Sequence, residues 1–210
     1  MPLFKDFPTP KAGGRDSDVV GSVRTGRLDE RTNRPYSLDT LRFTADHMDI
    51  VTKIAELYGG TPGEWSTTKS DRYEVITEAA AVNFELRTFD VEFILWGQRQ
   101  PIRVCDGRTQ KDDGSTACEC PSDYWDHRAA ATEGKACKPN VKSSLVLADA
   151  PDLGVFRFQS GSWMLAEDAN DIEAFLAKGP AQVQFAIEQY QTKQGQTRQR
   201  PRFTELVAAS

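Results

Sequence analysis

Histidine is nearly absent from this 210-residue sequence: only His47 and His127 occur. A metallohydrolase centre built on imidazoles cannot be assembled from two of them. No run of about 18 apolar residues is present, so no segment is expected to span a membrane. Met1 to Gly14 carries prolines and charges where a secretory leader needs a continuous apolar stretch, and the expected location is the cytoplasm. Positive charge is not in excess either. Lys and Arg number 26 against 31 Asp and Glu, a net charge of -5, which lacks the basic footprint of a stand-alone duplex-binding domain. Phosphate loops are missing, because Gly13-Gly14 and Gly59-Gly60 have neither the spacing nor the Lys-Ser/Thr ending. Gln159 to Trp163 lacks the flanking glycine of a nucleophile elbow. The carboxylates, Asp112-Asp113 among them, read as solvated charge and turns, and His47 reads as solvated early in a helix. These absences together predict a protein that is not an enzyme.

What is present is enough for one core. The first 36 residues, rich in Pro, Gly, Arg and Asp, read as an extended lead-in, and residues 37–206 as a single domain. Ser37 to Thr44 alternates as a strand, and a helix follows over 45–58, stopped by Gly59-Gly60. Strands are expected at 73–77, at 82–86, at 91–95 and at 102–104, too closely spaced for crossover helices and therefore antiparallel. Further strands at 144–147 and 155–158 flank a turn at Pro151 to Gly154. A second helix spans 169–178 with Asp168 as N-cap, and strands at 183–187 and through Phe203 and Leu206 close the chain. The expected fold is α+β: an antiparallel sheet, two helices and a cysteine-bearing insertion over 105–140.

All four cysteines lie in that insertion, spaced Cys105-x12-Cys118-x-Cys120-x16-Cys137. Turn-forming residues surround them, and little there builds a core unaided. Four thiolates suit tetrahedral zinc, and a closed four-sulfur shell makes the metal structural rather than catalytic. Two disulfides and scattered core thiols are the competing readings; a reducing compartment opposes the first and the lack of apolar neighbours the second. His127 falls in the same loop. It either replaces one cysteine as ligand or, as is commoner, caps or faces solvent.

Lys193, Arg198, Arg200 and Arg202 form an acid-free stretch near Tyr190 and Phe203. Bases stacked on those rings would make a single-stranded DNA-binding or annealing protein, the alternative function; the competing reading is a solvated basic hairpin. Trp65, Trp125 and Trp163 lie in or near loops, as contact anchors or as caps on the core.

The segments Leu38-Asp-Thr-Leu-Arg-Phe-Thr44, Ala55-Glu-Leu-Tyr-Gly-Gly60, Tyr73-Glu-Val-Ile-Thr77, Cys105-Asp-Gly107, Cys118-Glu-Cys-Pro121, Cys137-Lys-Pro139 and Gly154-Val-Phe-Arg-Phe158 occur in that order. Together they resemble the recombination directionality factors of Streptomyces temperate phages, over about residues 15–206. Some relatives carry hydrolase or metal-binding labels. The resemblance implies a partner, a phage large serine integrase, bound near the coiled coil of its C-terminal zinc domain. It implies that the factor switches integrase from joining phage and bacterial sites to recombining the hybrid sites, inside a bacterial host, with DNA touched through integrase. Cys105, Cys118, Cys120 and Cys137 carry over as metal ligands. No catalytic residue carries over.

Overall fold

A computed structural model describes residues 18–208 apart from 30, 33, 66–70, 112, 113 and 193. Residues 1–17 of the expected lead-in, the Asp112-Asp113 turn, the Gly13-Gly14 pair and Lys193 lie outside the described residues. The ten strands of the sheet are β1 (Val19–Leu28), β2 (Pro35–Ala45), β3 (Gly63–Glu64), β4 (Tyr73–Ile76), β5 (Ala81–Trp96), β6 (Pro101–Cys105), β7 (Lys138–Leu147), β8 (Val155–Ser160), β9 (Ala181–Gln191) and β10 (Thr197–Ala208). Their order is β10-β9-β5-β7-β8-β1-β2-β4-β3, with β6 pairing the far end of β5. The helices are α1 (Met48–Tyr58), α2 (Tyr124–Thr132), α3 (Trp163–Glu167) and α4 (Ala169–Leu176).

The α+β class holds, with corrections. β1 pairs with β8 in parallel, and among the described residues four α-helices stand where two are expected. Residues 19–28 of the expected lead-in form β1, hydrogen-bonded to β2 and β8. The reason β1 escapes sequence patterning is that its buried positions are Gly21 and Val23, so one of the two carries no apolar signal. Gly21 is required there: a Cβ would lie 2.3 Å from the carbonyl oxygen of Thr44 on β2.

The two strands expected at 82–86 and 91–95 are one strand of 16 residues. Val82, Phe84 and Leu86 are buried, then Phe89, Val91 and Phe93. The three-residue step from Leu86 to Phe89 changes the buried parity from even to odd. A strand turns alternate residues to opposite faces, so such a step moves burial to the other face without a turn.

The chain divides into two compact units. One holds Phe89–Lys142 and Ser160–Ala174; the other holds the residues up to Thr88, Ser143–Gln159 and those from Phe175 onward. In the second unit the sheet curls. Phe43 of β2 stacks on Phe84 of β5 at 6.1 Å although three strands stand between them in sheet order. Phe156, Phe158, Phe185 and Phe203 continue this aromatic core. Helix α1 turns Val51 and Ile54 inward.

Candidate metal centre

The centre is assembled by a strand end, a returning loop and the approach to another strand, all in the first unit. Arg103 and Cys105 of β6 share one face, two residues apart, and Cys105 is fully buried. Asp106 then turns the chain. Its carboxylate accepts from the backbone N–H groups of Arg108 (2.8 Å) and Thr109 (2.7 Å) and from the Thr109 hydroxyl (2.8 Å). Burial opposes ionisation of Asp106, but these donors hold its carboxyl below the usual range. The loop returns along itself: Lys111 N–H donates to Val104 O at 2.8 Å and Cys118 N–H to Arg108 O at 2.6 Å. Cys118 and Cys120 arrive beside Cys105 in this way.

The fourth sulfur comes through α2, which sequence patterning misses because its apolar stripe is short. Asp123 caps it, accepting from Trp125 N–H (2.9 Å) and Asp126 N–H (3.1 Å). After α2 the chain reverses at Gly134, whose φ of 76° suits glycine, and reaches the fully buried Cys137 just before β7. Cys137 N–H donates to Cys120 Sγ at 3.3 Å.

The four sulfurs all lie within 4.8 Å of one another. A tetrahedron of Zn–S bonds near 2.3 Å would place sulfurs ~3.8 Å apart, so the donor set fits a thiophilic cation after a small contraction. Their ionisation points the same way. Hydrogen bonds from Cys105 and Cys137 hold Cys120 as the thiolate, well below the usual thiol range. Contacts with Cys120 and Cys137, then burial, keep Cys105 protonated. Cys137 is drawn down by Cys105, but Cys120 and burial outweigh that and push it up to about 12. Four sulfurs this close cannot all be anionic unless a cation sits among them.

The few buried residues of the segment pack with Phe93 of β5 and Trp163 of α3, so it does not build its core unaided. Tyr124, His127, Ala131 and Ala136 are buried. His127 is neither exposed nor placed with the four sulfurs as a fifth donor. Its ring lies 5.1 Å from Trp163 and 5.5 Å from Phe93, and its Nε2–H donates to the Cys137 carbonyl at 2.8 Å. Trp163 caps this aromatic group, whereas Trp125 is 67% exposed. The Arg24 and Arg42 guanidiniums both lie against the Trp65 ring, 5.1 and 4.4 Å from its centre. His47 is exposed and precedes α1 rather than lying within it.

Two residues unnoticed in the sequence join the centre. Arg103 Nη1 donates to Glu119 Oε2 at 2.7 Å, and Glu119 stands between Cys118 and Cys120. Glu92 of β5 accepts from Asn140 Nδ2 (2.7 Å), from Lys111 Nζ (3.3 Å) and from Lys142 Nζ, tying β5, the loop and β7 together. The parity of Arg103 with Cys105 is the one sequence signal that could have found the first.

Two cations of the basic stretch share a single carboxylate. Arg200 and Arg202 of β10 both donate to Glu188, at 2.6 and 3.1 Å, and Phe203 is buried against Phe185 instead of open for base stacking. No described helix is long and apolar enough to cross a membrane. A family model described as Gp3-like, recombination directionality factor-like, matches residues 20–208. No solved structure matches the chain.

Proposed function

The chain belongs to the Gp3-like, recombination directionality factor-like family, and from that premise we propose that it binds a phage large serine integrase and reverses its direction. With the factor bound, integrase recombines the two hybrid sites and excises the prophage; recombination between the original phage and bacterial sites is depressed. Family membership across residues 20–208 is the observation that carries this reading. Strand cleavage belongs to the serine of integrase, and this chain contributes no catalytic group. It works in the cytoplasm of the bacterial host and meets attachment-site DNA through integrase.

The mechanism is a bias between synaptic arrangements. A bound subunit changes the outcome only if it binds one arrangement better than its competitor. A 100-fold preference requires roughly 2.7 kcal/mol of differential binding, within reach of a few apolar side chains buried on the coiled coil of integrase. The acidic balance of the chain assists encounter with a basic, DNA-binding partner.

In this reading Cys105, Cys118, Cys120 and Cys137 hold one structural zinc ion. When bound, zinc supplies a fixed tetrahedral cross-link and no open coordination position. Asp106 turns the chain after the first ligand, Asp123 starts the helix between the third and fourth, and His127 anchors the carbonyl of the fourth.

The test is a recombination reaction with a serine integrase encoded by the same genome. Adding the protein is expected to switch on recombination of the hybrid sites and to saturate near stoichiometric ratio to integrase. Equal rates with and without it would sink the directionality reading.

A further inference from the structure

Resting on the four-thiolate reading above, we infer that Arg103 is a positioning residue of the metal centre. Its fixed positive charge offsets the negative charge of the sulfur cage and keeps the cage in its metal-holding form.

The observations are geometric. Arg103 stands two residues before Cys105 on the same face of β6, opposite Leu95 in the register that pairs Cys105 with Phe93. An arginine is almost never buried without a partner, yet Arg103 is nine-tenths buried. Its Nη1 donates to Glu119 at 2.7 Å, but the Glu119 side chain is 81% exposed, so this pair lies at the rim and contributes little by itself. The Nε atom is buried with no hydrogen-bond partner among the described residues. The guanidinium is therefore held against the cage from two sides, by the β6 face it shares with Cys105 and by Glu119 between Cys118 and Cys120.

A guanidinium is permanently charged and presents several donors in a rigid fork. Four thiolates around a divalent cation carry a net charge of -2, which a buried site holds poorly without a compensating cation. A neighbouring positive charge therefore favours the loaded cage over the empty one. The Glu119 contact adds orientation: it fixes the fork from within the Cys118-Glu-Cys120 turn, so the cation and two ligands are held by one short segment. This is the outer-shell role by which hydrogen-bonded neighbours tune a metal site.

The experiment compares zinc-loaded full-length protein with Arg103→Met and Arg103→Lys. Zinc content is measured first, then transfer to a chromophoric chelator, 4-(2-pyridylazo)resorcinol, and the thiolate-to-metal absorption of the cobalt-substituted form. Arg103→Met, similar in length but uncharged, is expected to lose zinc at least 10-fold more readily than wild type. Arg103→Lys is expected to restore most of the retention, which a packing role alone would not do. Glu119→Gln serves where Arg103→Met does not fold; a milder, 2- to 5-fold loss is expected because the fork is no longer fixed. If Arg103→Met retains zinc as wild type does, or if Lys is no better than Met, the inference is overturned while the metal site stands. In the Glu119→Gln arm, wild-type retention overturns it equally. If wild-type protein holds no zinc, the metal reading itself fails and Arg103 loses its role with it.

Discussion

Arg42 and Glu74 show how a charge is carried inside this sheet. Both are buried; Arg42 Nε donates to Glu74 Oε2 at 2.6 Å, Arg27 pairs with the other carboxylate oxygen at 3.0 Å, and the Trp65 ring covers the Arg42 guanidinium. Removing one partner leaves an uncompensated buried charge. Glu74→Ala is expected to cost about 3–5 kcal/mol in urea unfolding; a loss below about 1 kcal/mol would show that Arg42 finds water instead. Glu173 of α4 is the opposite case. Its Oε2 is buried without a hydrogen-bond partner among the described residues, and burial, then the charge of Asp90, pushes its pKa up to about 7. A carboxyl with a raised folded-state pKa stabilises the fold below the unfolded value near 4.5 and loses that contribution as pH rises through about 7. Stability should therefore fall between pH 4.5 and 7. Glu173→Gln should flatten that slope and gain about 1–2 kcal/mol at pH 8, a figure already discounted for partial exposure. Parallel pH profiles of wild type and variant would contradict it.

Among the elements, β5 and the 105–137 segment carry most of what patterning misses. The parity step at Arg87-Thr88 imitates a turn, yet no Gly, Pro or Asn is there to make one, so the chain stays extended. Helix α2 buries only Tyr124, His127 and Ala131, an apolar face too narrow to announce itself. A nine-residue helix is marginal by itself, and the Cys137 carbonyl bonded to His127 ties it to the sulfur cage. Cys118→Ser or Cys137→Ser is expected to remove amide-exchange protection across 105–137 while the β1–β2 and β9–β10 pairs stay protected. Global loss of protection would mean that the segment and the sheet fold as one. In the aromatic core, Phe185 touches Phe84, Phe158 and Phe203. Phe185→Ala should cost about 3–5 kcal/mol, the usual range for a buried ring, measured by denaturant titration.

For the whole molecule, charge sets the expectation. A net charge of -5 opposes approach to a DNA backbone, and the shared Glu188 offsets one of the two charges of Arg200 and Arg202. Alone, the protein should not shift attachment-site or single-stranded DNA at micromolar concentration and about 0.15 M salt. It should retard integrase–DNA complexes further. Tight, steeply salt-dependent binding of single strands without integrase would restore the single-strand alternative.

Local pattern in the sequence was enough for α1, for β2, β4, β8 and β9, and for the four cysteines as one group. Period, glycine stops and loop composition are properties of neighbouring residues, and they survive folding unchanged. Strand β1, the unbroken β5 and the parallel β1–β8 pair were decided only in three dimensions, because Gly21 and the Leu86–Phe89 step acquire meaning from the strand opposite. The same holds at the sulfur cage. Spacing brings Cys118 and Cys120 together, but Arg103 and His127 reach the cage only through β6 and α2, and Trp163 reaches His127 through α3. A pairing with no local period cannot be read along the chain; it exists once the partner's burial makes an unpaired charge or imidazole costly.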